Sequence, residues 1–176
     1  MKKSMLWLCL AFASLFHSAW AESPGSRQGV FLSGGSGQDD IDIFRLAWRY
    51  RPGGALFCLA GHCFDGYYET SLGYWNGNRN DIGVVAFSPV LMHEFKHVGK
   101  RFHPYVEAGI GAALLSHTRI DDRNLSSGFV FEDRIGVGLR SRHLDVGFLL
   151  MHYSNAGLKA PNNGLSMAMV TLGYWF

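Results

Sequence analysis

Charge is scarce in this chain. Only 17% of its 176 residues are Asp, Glu, Lys or Arg, and the formal net charge is +2. No run of Lys or Arg accompanies that small excess, so the footprint of a nucleic-acid partner is missing. Cysteine is scarcer still, at three residues, and Cys9 belongs to the leading segment. Cys58 and Cys63 remain, bracketing Leu59-Ala60-Gly61-His62 in a Gly-rich stretch. Their spacing leaves open whether they are disulfide-bonded, which an exported chain would permit. A metal site built from Cys58, His62 and Cys63 would lack the second CxxC or His pair that makes such a site specific, so no metal is expected. Long apolar runs are missing too. Beyond the leader, no stretch approaches the ~20 residues that a membrane helix requires.

The leader itself has the charged, apolar, small order of a secretory signal. Lys2 and Lys3 precede an apolar run from Met5 to Phe16, and Ala19 and Ala21 follow. The run is too short for a transmembrane anchor. The expected organisation is therefore a signal peptide at 1–21, cut after Ala21, and one domain at 22–176.

What is present in quantity is aromatic residues, at 14%, and glycine, at 22 residues. Together with an apolar balance but no apolar block, this points to an all-β chain whose apolar residues alternate with others. Eight β-like runs are predicted at 28–36, 42–50, 67–75, 82–95, 102–115, 129–140, 144–154 and 166–176. Turn residues separate them, among them Arg51-Pro52-Gly53-Gly54, Asn76-Gly77-Asn78 and Pro161-Asn162-Asn163-Gly164. In the last run Ala168, Val170, Leu172, Tyr174 and Phe176 share one face, opposite Met167, Met169, Thr171, Gly173 and Trp175. In the fifth run Val106, Ala108, Ile110, Ala112 and Leu114 oppose Tyr105, Glu107, Gly109, Gly111 and Ala113. In the sixth, Ile135, Val137 and Leu139 oppose Glu132, Arg134, Gly136 and Gly138. A period of two is the signature of strands.

A soluble sandwich would turn the apolar face inward, whereas a membrane barrel turns it to lipid and fills its lumen with the other. Three features favour the membrane. The runs match the ~9–11 residues that cross a bilayer at a tilt. Tyr74-Trp75 and Tyr174-Trp175 lie at run ends, where interfacial aromatics belong. The chain also stops on an outward aromatic, Phe176. The expected fold is an all-β, eight-stranded antiparallel transmembrane β-barrel. Such a barrel is narrow and filled by side chains, which assigns Glu107, Glu132 and Arg134 to lumen ion pairs and argues against a pore.

The seventh run carries the chemistry. Its parity places Val146, Phe148, Leu150, His152 and Ser154 on the lipid-directed face. An imidazole there is poorly solvated unless it lies at headgroup level. Two residues apart on one face, His152 as base could activate Ser154 as nucleophile. The Asn155-Ala156-Gly157 that follows could supply amide donors to an oxyanion.

His152-Tyr153-Ser154-Asn155-Ala156-Gly157-Leu158-Lys159, followed by Pro161-Asn162 and Gly164, resembles the signature of the outer-membrane lipid A 3-O-deacylases. Phe131-Glu132-Asp133-Arg134-Ile135-Gly136-Val137-Gly138-Leu139 and Pro104-Tyr105-Val106-Glu107-Ala108-Gly109-Ile110-Gly111 are similar to that family as well. The likeness covers roughly the C-terminal half closely. It implies a serine esterase whose site faces the membrane and which hydrolyses the ester-linked 3-hydroxyacyl chain at the 3 position of lipid A. The roles fall on Ser154 as nucleophile and His152 as base. Asn155, Gly157 and Asn162 are the oxyanion- or activity-supporting candidates, and Phe131 matches an aromatic near the site.

One position departs from the family pattern. The carboxylate that orients the histidine should stand two residues beyond Gly164, where this chain has Ser166. No Asp or Glu occurs after Asp145. Asp133, with outward parity on the neighbouring run, is a candidate substitute. The resemblance thus implies a lipopolysaccharide-modifying hydrolase of the bacterial outer membrane. Its partners would be lipid A and membrane lipid, and it would need no cofactor. A homodimer is left open. The alternatives are a catalytically impaired barrel that binds lipid or is structural, and a soluble periplasmic sandwich for an apolar ligand.

Overall fold

The computed structural model describes residues 27–95, 98 and 101–176. The expected signal peptide lies outside the described residues. Eight strands build the body: β1 Gln28–Gly37, β2 Asp42–Tyr50, β3 Gly66–Asn76, β4 Asp81–Glu94, β5 His103–Leu115, β6 Phe129–Arg140, β7 Leu144–Ser154 and β8 Leu165–Trp175. Each pairs antiparallel with its sequence neighbours. The register Gly29↔Trp175 through Gly37↔Met167 joins β1 to β8 and closes the barrel. Closure leaves the barrel sheet without an edge, so each of its eight strands finds its backbone partners without water.

The faces divide as the alternation predicts. Outward residues such as Phe44, Leu72, Ile110, Ile135, Val137 and Leu172 are exposed, whereas Trp75, Tyr105, Glu132 and Trp175 are buried in the lumen. An apolar face turned outward all round the barrel overturns the soluble-sandwich alternative, whose apolar residues would have to meet inside. The described residues include no helix long and apolar enough to cross a membrane; the crossing is made by strands.

The lumen is packed. Its middle is an ionic network in which Arg45, Arg49 and Arg134 face Glu69, Glu107 and Glu132. Glu132 accepts hydrogen bonds from Arg45 at 2.9 Å, Arg134 at 2.6 Å, Ser88 at 2.7 Å and the Tyr153 hydroxyl at 2.5 Å. Glu69 accepts from Arg45 at 2.8 Å, Arg49 at 2.7 Å and Arg134 at 2.6 Å. Arg49 lies 3.8 Å from Glu107, which also accepts from the Tyr67 hydroxyl at 2.8 Å. Burying six charges is tolerable because the signs balance and each ion has several partners. The expected lumen roles of Glu107, Glu132 and Arg134 are met, and Arg45, Arg49 and Glu69 complete the set.

Two layers flank this network. Toward the β7–β8 loop, Ile43, Trp75, Val84, Met151, Tyr153 and Met167 form an apolar plug. Toward the β6–β7 turn, the Tyr105 hydroxyl and the Trp175 indole both donate to Asp145, at 2.7 and 3.1 Å. Glycine makes room for that ring. A Cβ at Gly138 would stand 2.4 Å from the Tyr105 hydroxyl oxygen, and one at Gly147 2.7 Å from it.

The strand connections differ in kind. A short hairpin of Phe57–Leu59 and His62–Phe64 stands between β2 and β3, with Cys58 directly opposite Cys63 and disulfide-bonded to it. Ala60 and Gly61 turn it with φ of 50° and 80°, as a two-residue hairpin turn requires. The bond consumes both sulfurs that a Cys58–His62–Cys63 metal site would use. A second hairpin, Arg119–Ile120 with Arg123–Asn124, lies between β5 and β6.

The Glu132→Ala variant leaves Arg45 and Arg134 short of a buried counterion. Loss of about 3–5 kcal/mol of barrel stability is expected, read as a lower urea midpoint for refolding into lipid. An unchanged midpoint would show that the lumen network does not hold the barrel.

Candidate active site

The outward parity of β7 carries His152 and Ser154 to its end, beside the 155–164 connection. Both are half-buried. Antiparallel register fixes their neighbours. His152 lies opposite Asp133 on β6 and opposite Ser166 on β8, while Ser154 lies opposite Phe131. Directly opposed side chains have Cβ atoms about 4.5–5.5 Å apart, so all five residues share one outward patch. The short β6–β7 turn that pairs Arg140 with Asp145 sets this register from the other end.

Ser166 does reach the imidazole. Its Oγ is 2.9 Å from His152 Nδ1. Asp133 makes no hydrogen bond to the ring although it is the facing residue on the other side; the hydroxyl, not the carboxylate, orients the histidine here. Among the described residues the Ser154 hydroxyl makes no hydrogen bond. Phe131 packs edge-on against Phe129 at 5.4 Å and walls the patch beside Ser154.

The 155–164 connection is built around Asn155, which is wholly buried. Its Nδ2 donates to the Leu125 and Lys159 carbonyls, each at 2.7 Å, and its Oδ1 accepts from the Gly157 amide at 2.9 Å. Ala156 and Gly157 take φ of 52° and 77°, turning the chain back on itself. The Asn155 amide donates to Asn162 Oδ1 at 3.1 Å. The amides of Asn155 and Gly157 are thus engaged inside the loop. The carboxamide of Asn162 is anchored by its oxygen, and its Nδ2 makes no hydrogen bond among the described residues.

Three bracing residues were not legible from sequence. Gly164 lies against the imidazole: a Cβ there would stand 2.7 Å from Cε1 and 2.8 Å from Nε2 of His152. Arg123 donates through Nη1 to the Gly164 carbonyl at 2.6 Å and through Nε to Asp39 at 2.6 Å. Gln38 accepts from the Ser166 amide at 3.1 Å. The β1–β2, β5–β6 and β7–β8 connections thus meet around the histidine. Nearby, the Asn78 and Arg79 amides donate to Asp121 at 2.9 and 2.8 Å and hold its carboxyl below the usual carboxylate range. Gly164 stood in a recognised turn, but only its proximity to the ring distinguishes it. Arg123 and Gln38 carry no local signal. Among the described residues no group of three His, Cys, Asp or Glu could hold a metal.

The sequence profile of the family described as lipid A 3-O-deacylase (PagL) matches residues 42–175. The chain belongs to that family. Among its relatives, the lipid A deacylase PagL of Pseudomonas aeruginosa is 37% identical over 168 residues, covering 94% of both chains. The lipid A deacylase PagL of Bordetella bronchiseptica is 39% identical over 111 residues, 61% of each. The crystal structure of the outer-membrane enzyme PagL superposes with a TM-score of 0.73 at 34% identity, covering 82% of this chain and 97% of that one. The barrel domain of Pseudomonas aeruginosa OprF, at 16% identity and a TM-score of 0.53, shares the fold alone. This deacylase-family chain is therefore an outer-membrane β-barrel enzyme, a hydrolase of the esterase class.

In this deacylase, Gly164→Ala forces the His152 ring away from its seat. A displacement of about 1 Å at a catalytic group can cost about 100-fold in rate. Gly164→Ala should therefore cut deacylation by about that factor while the barrel still shows heat-modifiable gel migration; wild-type turnover would remove Gly164 from the site.

Proposed function

We propose that this chain removes the 3-linked 3-hydroxyacyl group of lipid A by a Ser154–His152 esterase mechanism. The observation that carries the reading is the 2.9 Å contact of His152 Nδ1 with Ser166 on an otherwise lipid-facing patch. With Nδ1–H donated to the Ser166 hydroxyl, Nε2 is the free base. It takes the Ser154 proton as Oγ attacks the ester carbonyl. The tetrahedral oxyanion collects its negative charge where the unengaged Nδ2 donors of Asn162 are available, with Asn155 and Gly157 holding the loop in shape. The imidazolium then protonates the departing sugar oxygen, leaving an acyl group on Ser154. Water, deprotonated by His152, hydrolyses that acyl-enzyme and releases the 3-hydroxy fatty acid.

Position suits the substrate. The site lies at a strand end on the outer face, so the acyl chains stay in lipid while the ester sits at headgroup depth. Phe131 offers those chains an apolar wall. All proposed site residues come from one chain, so a second copy is not needed. The reaction as written uses no metal and no cofactor.

Ser166 is the weak link. A hydroxyl fixes the tautomer but does not stabilise the imidazolium as a carboxylate does, and loss of the acid in a protease triad costs about 10,000-fold. This supports a second reading, a catalytically impaired barrel that retains lipid binding. Asp133, opposite His152, supplies negative charge to the same patch and favours the active reading.

Expression in a bacterium with hexa-acylated lipid A, followed by mass spectrometry of that lipid, separates the two. The active reading expects loss of one 3-hydroxyacyl group, absent with Ser154→Ala. Unchanged lipid A beside a folded wild-type barrel would support the impaired reading. Ser166→Glu is expected to raise turnover at least about tenfold by restoring the acid. No gain from that variant would show that the hydroxyl already suffices or that Asp133 replaces the acid.

A further inference from the structure

The end of the barrel opposite the proposed catalytic patch opens into a vestibule of about 1000 Å³, between Arg27, the β2–β3 connection and the β6–β7 turn. Its charge is one-sided. Arg27, Arg51, Arg101, Arg140 and Arg142 line it. Among the described residues only Asp65 and Glu94 oppose them on its walls, with Asp145 in the floor occupied by Tyr105 and Trp175. The lumen network just above, by contrast, is charge-balanced.

Arg140 is the centre of the imbalance. It is only 7% exposed, yet among the described residues it makes no ion pair and no side-chain hydrogen bond, and its Nη1 is a buried donor without a partner. Its guanidinium stacks on the Trp175 ring at 4.2 Å, which orients it without neutralising it. Arg51 approaches the same ring at 5.6 Å and has a loose ion pair with Glu94 at 3.7 Å. Burial holds the Arg51 guanidinium below its ordinary pKa, as expected of a cation short of solvent and counterions. His103 on the same wall has a second buried, unpartnered nitrogen, Nδ1. A buried polar donor without a partner costs free energy, and two guanidiniums sharing one aromatic ring repel each other. A bound anion removes both costs.

We propose that this vestibule is an anion site for a phosphate group, held between Arg140 and Arg51 with His103 at its edge. Guanidinium forks match phosphate oxygens in pairs, and the cavity is larger than a bare phosphate, leaving room for a substituent. The phosphate could come from a free ion or from a phospholipid headgroup entering at the barrel mouth. The site is separate from the catalytic patch and does not rest on the esterase reading.

Titration calorimetry of the full mature barrel in a non-ionic detergent tests this, with inorganic phosphate and glycerol phosphate as probes. Saturable binding below about 1 mM is expected, weakened at least about tenfold in both Arg140→Gln and Arg51→Gln. Arg140→Lys, which keeps the charge but loses the fork and the stack on Trp175, should bind between the wild type and Arg140→Gln. Tighter binding of glycerol phosphate assigns the site to a headgroup, and tighter binding of inorganic phosphate assigns it to the free ion. Heat-modifiable migration and unaltered deacylation check that the variants fold. Absence of saturation with both probes, or wild-type affinity in both Gln variants, would overturn the proposal.

Discussion

Hydrocarbon cannot hydrogen-bond to a peptide group, and the architecture of this chain follows from that constraint. Each strand must satisfy its backbone against another strand, so the sheet closes through the β1–β8 register from Gly29↔Trp175 to Gly37↔Met167. Once closed, its outer face can be apolar everywhere, and the polar residues of each strand have only the lumen to occupy. A narrow lumen then forces charges together. Arg45, Arg49 and Arg134 against Glu69, Glu107 and Glu132 is the consequence, and glycines on the same face give the larger side chains space.

The proposed catalytic patch uses the same constraint in reverse. His152 and Ser154 lie on the face that should be wholly apolar, but at the end of β7, where the strand leaves hydrocarbon. Tyr153, the inward residue between them, donates to Glu132 in the lumen network. One strand segment is thus anchored inside by a buried charge while presenting His152 and Ser154, the proposed base and nucleophile, outside. The connections above it add a second support, with Arg123 joining Asp39 to the Gly164 carbonyl beside the imidazole. In the proposed reaction substrate approaches from the membrane, so no enclosed pocket is needed; the bilayer supplies the apolar surroundings.

Ser166 shows how register decides chemistry. It is the β8 residue opposite His152, and any side chain there must face the ring. A hydroxyl at that position keeps the geometry of an orienting partner without its charge. Asp133, on the other flank, has charge without the contact. The two neighbours of one histidine thus divide properties that a single carboxylate would combine.

Period-two alternation, turn residues and strand length were local properties, and they determined the eight strands, their lumen and lipid faces and the family motif around Ser154. All eight observed strands overlap the expected runs closely, because one-residue slips would have exchanged the two faces. Parity also sufficed to put Glu107, Glu132 and Arg134 inside. It could not pair them with Arg45, Arg49 and Glu69, which come from strands distant in sequence. Nor could it say which neighbour of His152 makes the hydrogen bond, since Ser166 and Asp133 are both opposite it. The Cys58–Cys63 bond, the seat of the ring against Gly164 and the brace from Arg123 likewise depend on distances between segments. Local pattern determines which way a side chain points; only barrel closure and loop packing decide what it meets there.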